Sequence, residues 1–214
     1  MKHLNTYITE YIIKKKLDTP IDSEDHYKYF PKTKSELIEI IKNLLNDNQT
    51  DLNIIDVSKI TDMSELFEKI NKSIEISNID ISRWDVSNVT NMRYMFFDCH
   101  EFDCDLSSWN VSNAENMTGM FINCVNLNSD FSSWNIHNVT NMEYMFYGCK
   151  KFEGKGLENW DVSNVKCMDK MFSDCVNFTG KGLENWNIRN VTRMNDIFDK
   201  CTSLKISQVG IKNK

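Results

Sequence analysis

No apolar stretch in this 214-residue chain is long enough to cross a membrane, and the opening "MKHLNTYITEYIIKKKLDTP" holds no signal-peptide core. Membrane insertion and Sec export are therefore not expected, and the sequence reads as cytoplasmic. Clustered positive charge is also missing. The formal net charge is -6, the basic residues are scattered, and the run Lys14 to Lys16 reads as a solvated helix face, which argues against nucleic acid as a partner. The four histidines, His3, His26, His100 and His137, have no paired carboxylate or cysteine motif beside them. There is no phosphate-cradling glycine loop, because Gly154, Gly156, Gly180 and Gly182 belong to a duplicated turn, "GKGLENW". Seven cysteines occur without the close pairs of a zinc site, and without an export signal they read as reduced thiols. No catalytic, cofactor-binding or metal-binding residue is expected, and the chain does not read as an enzyme.

What is present is a repeat. Trp84, Trp109, Trp134, Trp160 and Trp186 are spaced 25, 25, 26 and 26 residues apart, and Cys99, Cys124, Cys149, Cys175 and Cys201 keep the same register. Met92 with Met95, Met117 with Met120, Met142 with Met145, and Met168 with Met171 follow it too. A diverged sixth copy runs from Leu52 through Met63 to Ile70. One such unit cannot bury its own apolar face, so the units are expected to stack.

Each unit shows two spacings. Met142, Met145, Phe146 and Cys149 stand at i, i+3, i+4 and i+7, which predicts one face of a short helix with Thr140 or Asn141 as its N-cap. Upstream, Phe131, Trp134, Ile136 and Asn138 approximate the strand segment of a leucine-rich repeat, as do Leu106, Trp109, Val111 and Asn113. The expected fold is an α/β repeat solenoid, leucine-rich-repeat-like, with one short strand and one short helix per 25–26-residue unit, six units and an N-terminal helical cap. The ladder cysteines would then lie roughly 5 Å apart by the spacing of neighbouring strands, as buried free thiols. Cys104 and Cys167 lie off that ladder, and Cys167 replaces the Asn of "T-N-M". Asn88, Asn138 and Asn190 sit in "NVT", a glycosylation acceptor pattern that here is the repeat's own turn.

The stretches "WDVSNVTNMRYMF" (84–96), "WNIHNVTNMEYMF" (134–146) and "WDVSNVKCMDKMF" (160–172) resemble the BspA-like leucine-rich repeat family, in the branch that reads W-D-V-S-N-V-T-N-M-x-x-M-F. The resemblance covers about residues 33–205. It implies a curved solenoid that binds other macromolecules, often in adhesion at bacterial surfaces, although this chain lacks the export signal of the surface members.

Four segments are expected: an amphipathic leader helix over 1–20, a connector and capping helix over 21–50, the repeats over 51–205 and a tail over 206–214. In the capping helix, Thr33 or Ser35 is the cap, and Leu37, Ile38, Ile41, Leu44 and Leu45 are the apolar face. The leader resembles short leader segments on proteins of phages that infect Bacteroidales. That sets two functional expectations side by side. One is a non-enzymatic interaction module for a protein or glycan; the alternative is a virion or other assembly component attached through residues 1–20. The partner-binding face is expected on the outward side of the strands, at Asp85, Asn110, Asn135, His137, Asp161, Asn187 and Arg189. His137 and Arg189 depart there from a serine-rich row, while the Asp/Asn row has a second reading as turn-capping side chains.

Overall fold

The computed structural model describes residues 26–74, 76–205 and 209. The expected leader helix over 1–20 lies outside these residues, as does the tail over 206–214 apart from Val209. Helix α1, Lys34–Asn46, starts where Thr33 takes an extended backbone and its side chain accepts from the Glu36 amide. Leu37, Ile41 and Leu44, spaced i, i+4, i+7, are its buried face. Lys34 Nζ then reaches Asp62 at 2.7 Å and the Ser64 hydroxyl at 2.8 Å, pinning the helix to the first repeat. Burial alone would raise the Asp62 pKa, but the bonds from Lys34 and Ser64 outweigh it and hold the carboxyl below its usual value.

The repeats form six coils: 51–79, 80–104, 105–129, 130–154, 155–180 and 181–205. Each coil turns at corners where an Asp or Asn side chain accepts the N–H two residues on. Asp80, Asp105 and Asp130 make the first corner, with Ser82, Ser107 and Ser132 donating. Asp85, Asn110, Asn135, Asp161 and Asn187 make the second. Asn91, Asn116 and Asn141 make the third. An Asp or Asn at such a position bends the chain without help from glycine. In coils five and six the first corner is instead a 3-10 turn, Leu157–Asn159 and Leu183–Asn185, entered through Gly156 and Gly182 at φ 90° and 92°.

The expected α/β solenoid with a strand and a helix in each of six units is incorrect. Among the described residues only α1 and a short helix in the first coil, α2 (Leu66–Asn71), are α-helical, and strand-type pairing between coils is limited to isolated parallel bridges, with no sheet. Over Met142–Cys149 the amides alternate. Met145, Tyr147 and Cys149 donate within the coil to Met142, Tyr144 and Phe146, whereas Met142, Tyr144, Phe146 and Gly148 donate to the fifth coil. An α-helix needs its amides for i→i−4 bonds, and half of them are committed elsewhere. Left-handed residues at Tyr144 (φ 57°) and Gly148 (φ 71°) break the helical path as well. Asn141 accordingly caps a turn, accepting from Glu143, and is not a helix N-cap. The expected strand fails for a related reason: Trp134 donates to Phe131 and Val139 to Ile136, so the segment is a series of tight turns.

Columns of identical side chains fill the core. Phe67, Phe96, Phe121, Phe146, Phe172 and Phe198 stack with centroids 5.1, 5.4, 5.6, 5.8 and 6.0 Å apart and planes within 11° of parallel. The methionine pairs are buried throughout the second to fifth coils. Every repeat tryptophan is buried and donates its indole N–H one coil back, Trp109 to Ile81 at 3.0 Å and Trp134 to Leu106 at 3.0 Å among them.

Candidate functional site

The cysteine column is structural. Cys124, Cys149, Cys175 and Cys201 donate their thiols to the backbone oxygens of Phe96, Phe121, Phe146 and Phe172, one coil back, at 3.1, 3.0, 2.9 and 2.9 Å. All seven cysteines are free thiols. Burial pushes the Cys99 pKa up to about 12 and those of Cys104 and Cys201 to about 11, and it raises Cys124, Cys149 and Cys175 as well. Thiols held protonated are poor nucleophiles and poor metal ligands. Off the column, Cys104 is half-buried, and Cys167 is buried with its thiol raised by desolvation. The "NVT" asparagines also belong to the framework: Asn88, Asn138 and Asn190 donate their side-chain amides to Ser58, Ser112 and Ser163 of the preceding coil at 2.9, 2.7 and 2.7 Å.

The seven residues expected on the outward face stand in two columns at the second corner, and they are exposed except at their turn contacts. Asp85, Asn110, Asn135, Asp161 and Asn187 each spend one oxygen on their own turn, at 3.0, 3.1, 3.2, 3.0 and 3.4 Å. The structure brings two of the seven together across coils: His137 Nδ1 lies 3.0 Å from Asp161 Oδ2. Asn164 donates to the His137 carbonyl at 2.8 Å and lies 3.4 Å from Nε2. The Asp161 carboxyl is lowered to about 2, by the Ser163 side chain first and then by His137. Arg189 is exposed two coils further on and makes no ion pair among the described residues.

A second surface centres on aromatic side chains that the sequence reading did not single out, beside Arg93 and Lys170, which it placed among the exposed positions of these turns. At the outward positions of the M-x-x-M-F turns, Tyr94 and Phe97 meet edge to face at 5.7 Å, and Tyr144 and Tyr147 do so at 5.8 Å. Arg93 lies 4.5 Å over the Tyr94 ring, and Lys170 lies 5.8 Å over Tyr144. The Tyr94 ring beds on the third coil because Gly119 leaves room for it; a Cβ there would sit 2.1 Å from the ring. Beside it, Glu65, Glu68, Lys69, Lys72, Tyr94 and Phe97 line a depression of about 400 Å³. The available signal was tyrosine recurring at equivalent outward positions, 94 and 144, which a helix reading assigns to a solvent face.

A third cluster crosses three coils. One ligand atom each from Glu143, Cys167 and Asp169 lie within 4.8 Å of one another, a thiol and two carboxylates of the kind that can hold a divalent ion. Arg193 already supplies the countercharge, at 2.5 Å from Asp169 and 3.3 Å from Glu143. Asp169 is buried and also accepts from the Asn195 backbone and side chain at 2.7 and 3.0 Å.

No helix among the described residues is long and apolar enough to cross a membrane. No curated protein and no solved structure matches the chain. One family model matches it twice, over residues 35–157 and 130–212, so that the two matches overlap and together span all six coils. By those matches the chain belongs to the family described as Mycoplasma protein of unknown function, DUF285.

Proposed function

We propose that the chain is a non-enzymatic binding module for a protein or a glycan. The observation that carries this is the division of labour along each coil. Inward positions repeat nearly unchanged and are locked by stacked rings and cross-coil hydrogen bonds, while outward positions differ from coil to coil on a backbone that holds them still. A stiff scaffold presenting varied side chains loses little conformational entropy on binding. The half-buried pairs Tyr94/Phe97 and Tyr144/Tyr147 offer flat apolar faces with hydroxyls at the rim, the side-chain type enriched at recognition surfaces. The pair His137 and Asp161, with Arg189 beyond, offers charge and hydrogen-bonding reach at the second corner. The thiols, raised and bonded to backbone, suit a packing role better than a catalytic one. The repeat resemblance to BspA-like proteins points to the same class.

The test is capture of proteins and glycans from the source organism and its environment on the immobilised chain, repeated with two variants. Tyr144→Ala with Tyr147→Ala removes one aromatic pair, and His137→Ser with Arg189→Ser restores the serine pattern at the second corner. Loss of a specific ligand with either pair, in a variant that keeps its melting temperature, locates the site. Retention by both pairs would reject both surfaces. Attachment to a larger assembly through residues 1–20 is tested separately, by deleting them and following incorporation.

A further inference from the structure

We propose that Arg193 is an ionic clasp that fastens the sixth coil to the two coils beneath it and makes the opening of that end of the stack dependent on ionic strength. The sixth coil is the least enclosed. Met194, Phe198 and Cys201 are only partly buried, whereas their counterparts one coil back, Met168, Phe172 and Cys175, are buried completely or nearly so. In a stacked array each coil is stabilised mainly by its neighbours, and among the described residues this one has a coil on a single side, so it opens first.

Arg193 departs from that nearest-neighbour pattern. Its guanidinium reaches Asp169 in the fifth coil at 2.5 Å and Glu143 in the fourth at 3.3 Å, a link across 50 residues of sequence. The equivalent positions in the second to fourth coils are the neutral Asn91, Asn116 and Asn141, which serve their own corners. At the opposite end the same corner carries another cationic tie, Lys34 to Asp62. The third corner is thus pinned by charge in the first and sixth coils and uses amide side chains in the second to fourth, while the fourth and fifth coils are tied by charge at the first corner, Lys155 to Asp130 at 2.8 Å.

The two ends of the Arg193 contact differ in exposure. The Arg193 side chain is 57% exposed and that of Asp169 is 8% exposed, so one charge is held dry and the other meets the solution. Salt screens such a contact from the solvent side, with a Debye length falling from about 10 Å at 0.1 M to about 3 Å at 1 M. Without the guanidinium, Glu143 and Asp169 would face each other without a countercharge on adjacent coils, and the sixth coil would lose its hold on Glu143 and keep Asp169 only through the Asn195 amides. Opening would free the amides of Met168, Lys170, Phe172 and Asp174, which donate to Arg193, Asn195, Ile197 and Asp199 at 2.8, 2.9, 3.0 and 2.8 Å. It would also bare the Phe172 and Phe178 rings, now covered by Phe198.

Amide hydrogen exchange on the full chain, resolved over those four amides, tests the clasp. In the unaltered protein their exchange should rise several-fold between low and high sodium chloride. The amides of Met142, Tyr144, Phe146 and Gly148, which donate to the fifth coil, should stay protected. Arg193→Gln should bring the fast exchange at every salt concentration, and Arg193→Lys, which keeps the charge but on a shorter side chain, should fall between. Salt-independent exchange in the unaltered protein overturns the proposal even if the Gln variant fails to fold. So does a Gln variant that exchanges like the unaltered chain, or one that loosens the fourth-coil amides equally.

Discussion

Replacing Trp134 by alanine separates packing from hydrogen bonding in this fold. The indole is buried, lies edge to face with Phe131 at 4.6 Å, and stacks on Trp160 at 6.5 Å with planes 6° apart. Its N–H donates to the Leu106 carbonyl at 3.0 Å, but that oxygen also accepts the Trp109 amide at 3.1 Å, so removal of the indole does not orphan it. The lost hydrogen bond is therefore worth about 1 kcal/mol. The lost packing dominates: truncating a buried Trp to Ala costs about 3 to 5 kcal/mol, cavity included, and each aromatic pair adds about 0.5 to 1.5 kcal/mol. Trp134→Ala should thus cost about 5 kcal/mol, whereas Trp134→Phe, which keeps a ring but loses the donor, should cost about 1 to 2 kcal/mol. Urea unfolding followed by circular dichroism measures both. Hydrogen exchange should show the alanine variant losing protection at Met117, Gly119 and Phe121, which donate into the fourth coil, and at Met142, Tyr144 and Phe146, which donate out of it. Equal costs for the two variants, or an alanine cost below about 2 kcal/mol, would refute the assignment of stability to the stacked columns.

Glycine substitutions should rank by what the new Cβ meets. At Gly156 (φ 90°) it would lie 2.1 Å from the Ser132 amide nitrogen and 2.6 Å from the Phe131 carbonyl carbon, backbone that cannot yield, so Gly156→Ala should cost about 2 to 4 kcal/mol by thermal melting. At Gly148 (φ 71°) it would meet the Asn123 side chain, which can swing aside, and a cost of about 1 kcal/mol is expected; the reverse order would contradict the packing described. Thiol titration should find Cys99, Cys124, Cys149 and Cys175 protected in the native protein and all seven cysteines reactive after denaturation without reductant. Fewer than seven, in a sample kept from air, would point to disulfides. Because burial raises the folded thiol pKa values, with Cys99 at about 12 against 9.0, the unfolded chain loses its thiol protons first. Stability should therefore be fully present below pH 9 and fall as pH rises towards 12. Cys99→Ala should flatten that slope, and an unchanged slope would remove the thiol from the account.

The inward set was legible because burial follows spacing whatever the backbone does. Met142, Met145, Phe146 and Cys149 are all fully buried, and the i, i+3, i+4, i+7 pattern was sufficient to place them. The same pattern misled about secondary structure. A coil of consecutive turns with left-handed residues at Tyr144 and Gly148 carries side chains inward at those intervals too, and periodicity alone does not report where the amides donate. Tyr144 and Lys170 at positive φ gave no warning, although Gly119 and Asp196 at the equivalent position, and Asp98, Asn123, Gly148 and Asp174 four residues on, are residue types that favour it. Helix α1 was legible because it is local: a threonine cap and one apolar face decide it. Of the candidate surface, the His137–Asp161 pair was half visible, both residues being singled out without their contact across coils. The clasp was invisible because Glu143 and Arg193 are 50 residues apart and meet only when three coils are stacked.

The backward aim of the side-chain donors has a consequence for how such a chain is made. Trp109, Asn113 and Cys124 all donate to carbonyls of the coil that precedes theirs in sequence. A ribosome delivers the amino-terminal coil first, so each newly emerged coil finds its acceptors already in place and can dock before its successor has been made. The amides that donate forward, chiefly the alternate amides of the M-x-x-M-F turns with Leu52 and Phe131 besides, stay open at the growing edge until the next coil arrives. Synthesis can thus lay the stack down one course at a time, with a few unmet donors at the front and pairings between adjacent coils behind it.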